Sequence, residues 1–105
     1  MEKAHEKEFH RAMVGIYDKA KHECGYHASH FLQMLSKYGG LETARRLLRT
    51  KDVQYGFTEL WQCGRLDLTV EAHVLKPEFA DLFTMEERQE AESRLKEHGY
   101  KILRA

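Results

Sequence analysis

Along the first two dozen positions the apolar residues Phe9, Met13, Ile16, Tyr17, Ala20 and Cys24 recur at steps of three and four, with charges between them. This is the pattern of a long amphipathic helix over residues 3–24, and Gly25 supplies its stop. The segment "HASHFLQMLSKYGG" repeats the signal with Phe31, Met34, Leu35 and Tyr38 on one face, and its glycine pair ends it. In "LETARRLLRT" the apolar positions Leu41, Ala44, Leu47 and Leu48 again follow the helical period. Two helices are therefore expected to meet at a tight hairpin or corner at Gly39-Gly40.

The polar stretch "KDVQYG" interrupts the pattern. Beyond it, Thr58 is expected to cap a helix carrying Phe57, Leu60 and Trp61 and closed by Gly64. In "RLDLTVEAHVLKP" the alternation Leu66, Leu68, Val70 has the look of a strand. Thr69 as an N-cap, Val70 and Val74 four apart and Pro77 as a stop favour a short helix instead. Pro77 fits the first turn of another short helix, "PEFADLF", because the N–H it lacks has no partner there anyway. Thr84 and Glu87 then form a capping box, opening a charged helix to His98 with a narrow apolar stripe of Met85, Ala91 and Leu95. The tail offers Tyr100, Ile102 and Leu103.

The expectation is an all-α fold, a compact, irregular, orthogonally packed bundle of roughly six or seven mostly short helices with a longer N-terminal one. Trp61 is placed at its centre, because large aromatics at helical spacing are usually core. A chain of 105 residues forms one domain, 1–105, with one core. A hydrophobic fraction of 42% is sufficient to fold it, so the 32% of charged residues belong to the surface and do not signal disorder.

Charge changes the picture mainly by exclusion. Lys plus Arg number 17 and Asp plus Glu 17, so no global field draws the chain to nucleic acid or an anionic membrane, and any such affinity must be local. No stretch approaches the roughly 20 apolar residues of a membrane span, and "MEKAHEKEFHRAM" has no apolar signal-peptide core. A cytoplasmic location follows as the expectation. There, Cys24 and Cys63 read as free thiols, with a bridge between them left open.

The best local candidate is the basic run Arg45, Arg46, Arg49 and Lys51. Leu47 and Leu48 bury one side of that helix, which leaves the arginines to project where they can meet phosphates. Lys37 and Arg65 could extend the stripe, while Glu42 and Asp52 flank it, and cations near a helix C-terminus also favour the helix dipole without any partner. Aligned as a helix-turn-helix, this region puts Arg45 or Arg46 where a recognition helix turns an apolar residue inward. Seven histidines would add positive charge on acidification, so phosphate binding is expected to tighten towards about pH 6.

Other constellations are weaker. His22, Cys24, His27 and His30 have the chemistry of zinc ligands, but their spacing lacks the two separated ligand pairs of a structural site, so no metal or other cofactor is expected. Arg65, Asp67 and Glu71 read as a capping and pairing group with Arg65 bound to either carboxylate. Cys63 has only Arg65 as a basic neighbour, too little to argue an activated thiol. No catalytic residue stands out.

The motif order "GYHASHF", "MLSKYGG", "TARRLL", "GFTELW", "GRLDLTVEAHVL", "PEFADLF" and "RLKEHGY" over roughly residues 25–100 resembles a set of small uncharacterised prokaryotic proteins and fused modules. The chain departs from them at Ala28, where proline accompanies the "GY" element. The resemblance implies a non-enzymatic accessory module of a nucleic-acid-processing or defence system, and carries over no catalytic residue. Its partner would be nucleic acid, met through Arg45, Arg46, Arg49 and Lys51. The alternative is a protein-interaction or homo-oligomerisation module that shares the Phe9, Met13, Ile16, Tyr17 and Ala20 stripe between its own core and a partner. A third reading is a metal-dependent hydrolase built on the histidine cluster.

Overall fold

The computed structural model describes residues 2–50 and 55–100, with side chains from 5–50 and 56–100. Within them the fold is all-α: five helices, α1 (Glu2–Cys24), α2 (Ser29–Arg49), α3 (Tyr55–Gln62), α4 (Val70–Val74) and α5 (Met85–Glu97), with 3-10 turns at Leu66–Leu68 and Pro77–Leu82. No strand occurs among the described residues. Lys51, the rest of the polar linker to Gln54, and Ile102 and Leu103 of the tail lie outside them.

The glycines act as the pattern predicts at the two sharpest places. Gly25 ends α1 at φ 64°. Gly39 breaks α2 with φ 80° and ψ 167°, a backbone open to glycine because it has no Cβ. The next residue does different work: a Cβ on Gly40 would lie 2.7 Å from the His10 Cα. Its bareness lets the two backbones cross closely, and its N–H donates to His10 Nδ1 at 2.9 Å.

The main core joins α1, α2, α4, α5 and the Pro77–Leu82 turn around Phe9, Met13, Leu35, Leu48, Val74 and Phe83. Phe9 is fully buried, and the rings of Phe79 and Phe83 meet it edge-on at 5.0 and 5.1 Å, the arrangement aromatic quadrupoles favour. Two smaller clusters extend this core towards α3. One holds Ala20, Leu60 and Leu68, the other Phe57, Leu66 and Leu95.

The expected caps form. Thr69 accepts from the Ala72 N–H at 3.1 Å. Thr84 and Glu87 satisfy each other's backbone N–H groups at 3.1 and 2.9 Å. Pro77 starts its turn as expected.

Four expectations need correction. Thr58 lies inside α3, which begins at Tyr55, and therefore caps nothing. Trp61 is 45% exposed: α3 is short and rides at the rim, where the His98 ring stands edge-on to the indole at 4.9 Å. Met85 is 73% exposed at the start of α5, which leaves Ala91 and Leu95 as the buried stripe. Cys24 and Cys63 are bonded to each other, with Cα atoms 5.9 Å apart. This bridge ties the end of α1 to the residue after α3, and position 24 is apolar-facing because it reaches that partner.

Candidate nucleic-acid interface

The Gly39 corner decides which residues meet on the surface. It folds the second half of α2 back so that the Arg46 guanidinium lies over the Tyr38 ring at 3.9 Å, with the Lys37 ammonium 5.2 Å from the same ring. Both distances are within the range of cation–π attraction. Helical periodicity could not have joined Tyr38 to Arg46, because the break at Gly39 resets it. The glycine pair was the only available signal.

The predicted basic run is thus divided. Arg45 turns inward, donating to the Leu82 carbonyl at 2.8 Å with Glu87 at 3.8 Å, and so fastens α2 to the Pro77–Leu82 turn and α5. Arg46 and Arg49 stay on the surface at 47% and 65% side-chain exposure and share Glu42, at 3.1 and 3.7 Å. Exposed pairs of this kind contribute little stability, about 0–1 kcal/mol, so Glu42 holds the arginines loosely. Beside the corner runs an open groove of about 670 Å³ lined by Lys7, Arg11, Tyr38, Glu42 and Arg45, with Glu6 and His10.

Arg65 does not extend this surface. It pairs with Asp67 at 3.0 and 3.1 Å and with Glu23, and this guanidinium holds the Asp67 carboxyl below its ordinary value. Asp67 pairing is as expected; Glu71 is not involved. Its partner is Arg94, at 3.0 Å, both side chains almost wholly buried. Arg94 also donates to the carbonyls of Leu47 at 3.1 Å, Leu48 at 3.2 Å and Thr50, and to Glu90 at 2.7 Å. These carbonyls belong to the last turn of α2, where helices lack internal donors. A charge read from sequence as one of many on α5 is the latch that closes α2.

Burial raises the Glu71 carboxyl, against the pull of its own backbone N–H and Arg94. His73 is buried and its Nδ1 lies 2.8 Å from the Thr69 carbonyl; desolvation lowers its pKa, reinforced by Lys76 and Lys19 and opposed by that hydrogen bond and Asp67.

The histidine cluster is not gathered. Cys24 sulfur is engaged with Cys63, His22 Nδ1 is 2.8 Å from the Asp18 carbonyl, and no group of three or more His, Cys, Asp or Glu side chains among the described residues is placed to hold a metal ion. Of the apolar stripe of α1, Phe9, Met13, Ile16 and Ala20 are at most 5% exposed, while Tyr17 is half-buried. No described helix is long and apolar enough to cross a membrane. Compared with protein families, curated proteins and solved structures, the chain matches none.

Proposed function

We propose that the chain is a non-enzymatic helical module that binds nucleic-acid phosphates through Lys37, Arg46 and Arg49, as an accessory of a prokaryotic nucleic-acid-processing or defence system. The observation that carries this reading is the stack of Arg46 and Lys37 on Tyr38 beside exposed Arg49. A guanidinium plane and an aromatic ring offer bases a surface to stack on, while the neighbouring cations follow the phosphates. The biological setting rests on the motif resemblance alone.

Glu42 sets the affinity on this view, because a phosphate must displace it from both arginines. Fluorescence anisotropy of short labelled single-stranded and duplex oligonucleotides, titrated at several salt concentrations, tests the idea. Saturable binding that weakens steeply with salt is expected. Glu42→Gln should tighten it several-fold, and Arg46→Glu with Arg49→Glu should abolish it while shifting the melting temperature by only a few degrees. No binding at low salt, or an unchanged affinity in the double variant, overturns the proposal.

A further inference from the structure

Between the C-terminal half of α1, the first half of α2 and α3 the molecule leaves a cavity of about 160 Å³. Its apolar walls come from Ile16 and Ala20 on α1, Phe31 and Met34 on α2, and Phe57 and Leu60 on α3. His30, which is exposed, also borders it, so the space reaches the surface. The side chains Lys37, Tyr38, Arg46 and Arg49 take no part in it.

Four polar residues contribute to the wall: Tyr26 is half-buried and His30 exposed, while the two that are buried, Thr69 and Glu71, are already engaged. The Thr69 hydroxyl donates to the Leu66 carbonyl at 2.7 Å and accepts from Ala72. The Glu71 carboxylate accepts from Arg94 at 3.0 Å. The buried part of the wall therefore offers no uncompensated charge and few partners for water. Apolar cavities of about 150 Å³ stay dry and take up benzene or xenon, because water needs two to four polar partners to enter.

We propose that this cavity is a binding site for a small, neutral, mostly apolar molecule the size of one aromatic ring or a fused pair. A charged ligand of the same shape is disfavoured, since it would lose its hydration and meet no free counter-charge among the buried residues of the wall. The bridge between Cys24 and Cys63 lies at the end of two of the walls, which fixes α3 against α1 at the separation the cavity needs.

The test is a nitrogen-15 amide NMR titration of the full, oxidised chain with indole, benzoate and benzylammonium. Indole is expected to give saturable shifts concentrated on the amides of Ala20, Met34, Phe57 and Leu60, with the two ions at least tenfold weaker. Met34→Trp, at a half-buried position, and Ala28→Leu fill the space from different sides; in either folded variant the indole shifts should be lost. Absence of saturable shifts up to the solubility of indole, equal response to all three probes, or shifts that survive both substitutions would overturn the proposal. Should neither variant fold, the comparison of indole with the two ions in the unaltered chain decides alone.

Discussion

The Phe9 side of the molecule and the α3 side are closed by different means. Around Phe9 three aromatic rings interlock and Arg94 ties the end of α2 to α4 and α5 from within. On the other side α3 has its main described neighbour in the Leu66–Leu68 turn, leaves Trp61 at the rim and borders an unfilled cavity, yet a covalent bond anchors its end. Where packing is complete, non-covalent contacts suffice. Where space is left open, the chain supplies a crosslink, which keeps walls in place without filling what lies between them.

The sharpest way to break this contrast is to remove the latch. Arg94→Ala leaves Glu71 buried without its cation and bares the carbonyls of Leu47, Leu48 and Thr50; a loss of about 3–5 kcal/mol is expected from such a half-broken buried pair, measured by urea denaturation. A smaller effect, about 2–4 kcal/mol, is expected from Cys24→Ser with Cys63→Ser, whose bridge spans a separation of 39 residues. Hydrogen exchange should then quicken in α3 more than around Phe9; equal quickening on both sides would dissolve the comparison.

His73 gives a pH-dependent measure on α4. Its folded pKa lies below its ordinary value, so the folded state binds its proton less readily than the unfolded chain. The associated stability is present above about pH 6.5 and is lost as pH falls from there through the folded pKa. Thermal melts from pH 7.5 down to 5 should record this fall, and His73→Phe should flatten it.

The smallest effect runs the other way. Thr43 is fully buried and its hydroxyl has no hydrogen-bond partner among the described residues. Replacing it by valine keeps the shape and removes an unpaired polar group, so Thr43→Val should stabilise the chain by about 1 kcal/mol; a lowered melting temperature would show that the hydroxyl is satisfied in solution.

Much of the fold was legible in local signals. The helical spacing of Phe9, Met13, Ile16 and Ala20, the stops at Gly25 and Gly39, the Thr69 cap and the Thr84–Glu87 box each depend on residues a few positions apart, where the chemistry of a turn is nearly independent of the rest. What escaped was long-range. Nothing near Arg94 distinguishes it from the exposed charges of α5, because its partners lie at Glu71 and at the end of α2. Trp61 has the spacing of a core residue, but burial needs a covering element, and among the described residues the indole stays 45% exposed with the His98 ring edge-on to it. The candidate interface was half legible: Arg46 and Arg49 were found from composition, whereas Tyr38 joins them only through the direction the chain takes at Gly39.

The latch also orders events in time. Arg94 reaches carbonyls 44 to 47 positions earlier in the chain, so during vectorial synthesis α1 and α2 emerge with the carbonyls of Leu47, Leu48 and Thr50 still without this donor, and they stay so until α5 has left the ribosome. Closing a loop of that length costs entropy before any contact returns it. The α1–α2 pair can thus assemble early around the Gly40 crossing, while completion of α2 waits on α5.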